Sequence, residues 1–172
     1  MIPGSFRPGT SVAQREPAQR GRKVMERILV SMNCRSGSWD AWSRAISLAR
    51  RIDAKLYALL VLLPSEKGIG IEEHKACGRI RERLELLIEA AKSEGAQIDY
   101  FISEGNYEEE VIRFVEQHRI TLVIADSPDE ENPRSERDLA QIRKIQHRVT
   151  CRVELVSPRK TKTLQQRREQ QP

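Results

Sequence analysis

Residues 27–63 read RILVSMNCRSGSWDAWSRAISLARRIDAKLYALLVLL, and their period changes twice. Arg27-Ile28-Leu29-Val30-Ser31-Met32 is a short apolar run of strand length. Ser38 is of a residue type that caps helices, and from it to Ile52 the apolar side chains Ala41, Ala45, Leu48, Ala49 and Ile52 recur at helical spacing. Lys55 to Leu63 is a second strand, closed by Pro64. The first strand has too few polar positions for a face in water. A strand, a helix and a second buried strand in this order predict a parallel pair joined by a right-handed crossover.

The alternation continues downstream. Glu72 to Glu94 carries Ile80, Leu84, Leu87, Ile88 and Ala91 on one helical face, and Gly95 stops it. Gln97 to Ser103 is a third strand. Tyr107 to His118 is a helix using Val111, Phe114 and Val115. Ile120 to Ala125 is the fourth strand, Ser135 to His147 the last helix, and Cys151 to Val156 the fifth strand. The predicted class is α/β: a doubly wound, mostly parallel five-stranded sheet with helices on both faces.

At 172 residues the chain is long enough for one domain with a proper core. Charged residues are 32% and aromatics 5%, and the longest apolar stretch, Leu56 to Leu63, is far short of the roughly 20 residues that span a bilayer. The expected compartment is the cytoplasm. The formal charge of +5 is unevenly spread. Residues 1–24 hold five cations against Glu16, and residues 157–172 hold five against Glu169, so each tail is near +4 and the body between them near −3. Both tails, 1–24 and 158–172, are polar, lack an apolar period and read as disordered flanks of a domain over 25–157. The Arg-rich N-terminal tail has some transit-peptide character, but Pro3, Pro8 and Pro17 spoil an amphipathic helix, and Met25 is an alternative start. Cys34, Cys77 and Cys151 form no Cys-x-x-Cys pair, and His74, His118 and His147 add no ligand spacing. This argues against a disulfide framework and against a metal site.

The chemistry turns on the end of the fourth strand. Leu122-Val123-Ile124-Ala125 runs into Asp126-Ser127-Pro128-Asp129-Glu130-Glu131, the place where an open α/β sheet presents backbone amides to a nucleotide's phosphates. A phosphate loop needs glycines for close approach and no competing negative charge. This one has four carboxylates and no glycine.

Over roughly residues 26–157, apart from the second helix, the chain resembles the universal stress protein family. Ile28-Leu29-Val30-Ser31-Met32-Asn33 is similar to the family's opening strand ILVPVD. Ser38-Trp39-Asp40-Ala41, Ala45, Leu48-Ala49 and Ala54-Lys55-Leu56 follow its helix pattern SxxAxxxAxxLA. Glu104-Gly105-Asn106 resembles its glycine turn after the third strand, and Thr150-Cys151-Arg152-Val153 stands where Pro-Cys-Pro-Val is common. The resemblance implies an adenine nucleotide alpha hydrolase-like, Rossmann-like fold and a homodimer built by pairing the last strands. ATP-binding members have an aspartate ending the first strand and a Gly-xx-Gly-x9-Gly-Ser/Thr loop after the fourth. Laid on this chain without gaps, those positions are Asn33, Asp126, Asp129, Leu139 and Ala140, and every one departs from the pattern. Two aspartates about 5 Å from a triphosphate cost on the order of a kcal/mol each at a surface-like dielectric. No bound cofactor is expected, with Mg²⁺ bridging Asp126 or Asp129 to phosphate as the one escape.

Other residues have a sharp and a bland reading. Cys34, beside Arg35 and ahead of a helix, is either a redox-sensing thiolate or a small residue filling a turn. Cys151 reads as a small apolar packing group. Trp39 and Trp42 fall on flanking or outer positions of their helix, as a contact surface, a shield for the pocket mouth or a seat for a tail. Asp129-Glu130-Glu131 with Arg134, Glu136, Arg137 and Asp138 is a solvated mixed-charge loop or a charge-reading peptide site. In Cys151-Arg152-Val153-Glu154-Leu155-Val156, Arg152 and Glu154 project opposite Val153 and Leu155. A two-fold axis at Val153 would set Arg152 of one chain beside Glu154 of the other, and the bland alternative is a charged monomeric edge. The basic tails lack aromatic interleaving, so specific nucleic-acid recognition is not expected. The reading is a cytoplasmic, dimeric stress-response interaction module with an unidentified protein partner, no ATP and no catalysis. The runner-up is a nucleotide-responsive switch or weak ATPase, and a third reading is an accessory protein held to nucleic acid or membrane by its tails.

Overall fold

The computed structural model describes residues 24–35, 39–64, 70–128, 131 and 135–157. The predicted tails over 1–24 and 158–172 lie outside these residues, apart from Val24, as do Ser38 and Asp129. The strands are β1 (Arg27–Asn33), β2 (Lys55–Leu62), β3 (Ile98–Glu104), β4 (Leu122–Asp126) and β5 (Arg152–Val156). They alternate with helices α1 (Asp40–Ile52), α2 (Ile71–Ser93), α3 (Tyr107–His118) and α4 (Ser135–Arg148). The sheet order is β3-β2-β1-β4-β5, and every pair is parallel.

Alternation along the strands divides the core in two. Ile28, Val30 and Met32 of β1, with Leu56, Ala58 and Leu60 of β2, meet α1 and the back half of α2. Leu29 of β1, with Tyr57, Leu59 and Val61 of β2, meets α3 and α4. Because both faces are covered, the central strands carry unbroken apolar runs. Burying each large side chain there, such as the fully covered Leu60 or Leu84, contributes roughly 1.5–3 kcal/mol. Tyr57, Phe101, Phe114 and His118 stack together on the α3 face, with Phe114 and His118 rings 4.0 Å apart.

The helix ends follow local chemistry. Asn106 caps α3 by accepting a hydrogen bond from Glu109 N at 3.2 Å. Gly105, at φ +147°, makes the turn that brings the chain from β3 into that cap, as the Glu104-Gly105-Asn106 motif implied. Trp42 departs from the expectation of an outer position. It is 5% exposed and packs in the core with Ala45 and Ala49, because residues 42, 45 and 49 extend the apolar stripe of α1 by one row. Trp39 is half-buried and lies under the Arg83 guanidinium at 4.8 Å.

Candidate functional site

In a doubly wound sheet, ligands bind beyond the carboxyl ends of the strands, where the helices change face. Here α1 and α2 cover one face and α3 and α4 the other, so that point lies between β1 and β4. The β1–β4 register runs from Ile28–Leu122 to Val30–Ile124 and stops. Ser31 to Asn33 and Ala125 to Asp126 extend beyond it, and their side chains define the crevice.

The crevice is closed from within. Asp126 Oδ1 accepts a hydrogen bond from Ala41 N, in the first turn of α1, at 2.9 Å. The N-cap position of α1 is Trp39, whose side chain offers no cap, so a carboxylate from another strand takes that role. Helix N-termini attract anions through free amides and the helix dipole. Asp126 is therefore a resident anion at the spot where a ligand phosphate would be welcome. Asn33, at the end of β1, turns back on its own loop, with its Oδ1 accepting from Arg35 N at 2.9 Å.

The opposite wall is also polar and closed. Tyr107, the first residue of α3, shares a 2.8 Å hydrogen bond with Ser31, whose side chain is on the α3 face of β1. Burial pushes the Tyr107 phenol up to about 12, the Ser31 hydrogen bond works the other way, and the negative charges of Asp126 and Asp138 add to the rise. Those two carboxylates therefore converge on one phenol. Asp138 lies in the first turn of α4 with Glu136, and its Oδ1 is buried with no hydrogen-bond partner among the described residues.

Of the positions singled out in the sequence, Asn33 and Asp126 come together at this crevice. Leu139 and Ala140 do not stand at a helix start. They are the fifth and sixth residues of α4, past the four amides that a helix leaves unsatisfied, and Leu139 is half-buried while Ala140 is exposed. The α4 terminus is presented instead by Ser135, Glu136, Arg137 and Asp138. The contributions of Tyr107, Ser31 and Asp138 were not anticipated. Only the helix-opening position of Tyr107 after the glycine turn hinted at its place.

At the fifth strand, Val153 and Cys151 pack on the α3–α4 face, and burial pushes the Cys151 thiol up. Glu154 projects to the other face and pairs with Arg44 of α1 at 2.6 Å. The opposite projection of Val153 and Glu154 holds, but Glu154 has a partner within its own chain.

The cysteines require a correction. Cys34 and Cys77 form a disulfide, with Cα atoms 4.6 Å apart, across 43 residues of sequence. The spacing of the three cysteines argued against this. The parallel pairing of β1 and β2 sets their ends side by side and so brings the loop after β1 near the front of α2, a proximity that spacing alone does not encode. Both cysteines line a cavity of about 650 Å³ with Leu62, Leu63, Ile71 and Arg81, next to the β2 and β3 ends. Among the described residues, no group of His, Cys, Asp and Glu is arranged to hold a metal ion, and no helix is long and apolar enough to cross a membrane.

Comparison with known proteins agrees with this architecture. The chain matches the Universal stress protein family over residues 25–156. Among solved structures, it is similar to the universal stress protein UspA from Lactobacillus plantarum, at 17% identity and TM-score 0.62, covering 76% of this chain and 97% of that one. It is also similar to a universal stress protein in complex with cAMP, at 18% identity and TM-score 0.60, covering 76% and 96%. A universal stress protein from Archaeoglobus fulgidus in complex with dAMP gives 14% identity and TM-score 0.55, covering 77% and 98%. No curated protein matches. The family match spans most of the chain, and the likeness in fold to these structures covers about three quarters of it: the chain belongs to the universal stress protein family.

Proposed function

We propose that this protein is a stress-response interaction module of the cytoplasm that acts by contact rather than catalysis and does not hold ATP at the β1–β4 crevice. The observation that carries the reading is the Asp126–Ala41 hydrogen bond. It fixes a carboxylate at the end of β4, where the loop that would have to receive phosphate begins, against the N-terminus of α1. The acidic first turn of α4, with Glu136 and Asp138, supports it by adding charge of the same sign nearby.

Self-association through β5 belongs to the same reading. β5 is an outer strand of the sheet, and a second copy pairing along it would cover an otherwise open edge. The pairing first expected between Arg152 and Glu154 of two chains then competes with Arg44, so backbone pairing and Leu155 are the stronger determinants.

A nucleotide-responsive switch is the second reading, favoured by the complexes of two solved relatives with cAMP and dAMP. Thermal unfolding separates the two. A ligand of the native state raises the melting temperature by mass action. The interaction module predicts no shift with millimolar Mg–ATP relative to matched salt. A rise specific to Mg–ATP or to AMP would overturn it in favour of the switch.

A further inference from the structure

We propose that Cys34 and Cys77 are a reversible thiol–disulfide site whose state decides whether the front half of α2 stays docked on the strand ends. The helix is divided in its packing. Leu84, Ile88 and Ala91, its buried residues, all lie in the back half. Residues 71–83 include none, and Ile71 at their start is 75% exposed. This half rests on the disulfide, on Arg83 over Trp39 and on the partly buried Ile80. Elements with few buried contacts open at low free-energy cost, so a covalent tie has its largest effect there.

The site suits exchange chemistry. The Cα separation of 4.6 Å is within the roughly 4.4–6.8 Å that a disulfide bridges without backbone movement. Both cysteines line the 650 Å³ cavity, which has room for a small thiol or disulfide. Cys34 also borders two smaller cavities of about 220 and 340 Å³ between its loop and α2. Around the pair stand Arg35, Lys75 and Arg81, whose charge favours thiolates, balanced by Glu72, Glu73 and Glu104. The oxidant is a low-molecular-weight disulfide of the glutathione type. The Cys77 thiolate, the more exposed of the two, attacks one sulfur of that disulfide, forming a mixed disulfide and releasing one thiolate. The Cys34 thiolate then attacks the Cys77 sulfur, closing the protein bond and releasing the second. The two cysteines lose two electrons and two protons, and the small disulfide gains them as two thiols. In a reducing compartment such a pair serves as a sensor rather than a permanent staple.

The test uses the full-length chain in glutathione buffers of graded ratio. Thiols are counted by alkylation and mass, and amide exchange is read separately over residues 71–83 and 84–93. The expected result is joint loss of the Cys34 and Cys77 thiols in one two-electron transition, with Cys151 remaining free. On reduction, exchange over 71–83 should rise roughly tenfold or more while 84–93 is unchanged, as expected for local opening. Cys77→Ser should show the reduced pattern in oxidising buffer. Cys34 and Cys77 remaining thiols at the most oxidising ratio, or equal exchange over 71–83 in both states, would overturn the proposal.

Discussion

Asp126 and Tyr107 carry most of the site's physics, and each yields a separable prediction. Replacing Asp126 with Ala removes the acceptor that caps α1 and should destabilise the fold by about 1 kcal/mol, whereas Asn, which retains an acceptor, should cost less. Urea unfolding of the two variants measures the difference. For Tyr107, the folded phenol ionises near 12 against an ordinary value of 10.0. A raised value means that the neutral phenol is the form the fold favours. Its stabilising effect is complete below pH 10 and is lost as pH rises through about 12. The wild type should therefore exceed Tyr107→Phe by about 1 kcal/mol near neutrality, from the hydrogen bond to Ser31, and that advantage should shrink through the same alkaline window. A constant difference across pH 9–12 would show that Tyr107 titrates as an exposed phenol. Neither residue's role was readable in advance. Asp126 was recognised as a misplaced charge, but its partner is an amide 85 positions away, and Tyr107 meets Ser31 across 76.

Helices and strands were legible to within a residue or two because their signals are local. The apolar runs of β1 and β2 can only be buried strands, and the stripe of α1 runs the full length from Ala41 to Ile52. Where the reading failed, the cause was a face drawn too narrowly or a contact made by the crossover. Trp42 falls on a flanking or outer position only when the stripe is drawn through Ala41, Ala45, Leu48, Ala49 and Ile52 without it, and the Cys34–Cys77 bond depends on where the front of α2 comes to rest. The self-association proposed above would run along β5, a short strand with partly buried Val153, Glu154, Leu155 and Val156. Sedimentation equilibrium should give a dimer for the wild type and a monomer for Leu155→Lys, with the unfolding midpoint of the variant near that of the wild type. A monomeric wild type would reduce β5 to a charged edge.

For the whole molecule, the family match fixes the fold while the distant identities leave its ligand open. At the ends of its strands this chain places Asp126 on the α1 terminus, while Glu136 and Asp138 open α4. Two of the solved relatives are complexes with cAMP and dAMP. On the proposed reading, side chains keep a nucleotide out, and the means is electrostatic. Calorimetric titration of the full-length protein with Mg–ATP puts this to the most direct test. The account predicts heats indistinguishable from dilution into buffer, and a saturable exchange of heat at about one nucleotide per chain would contradict it.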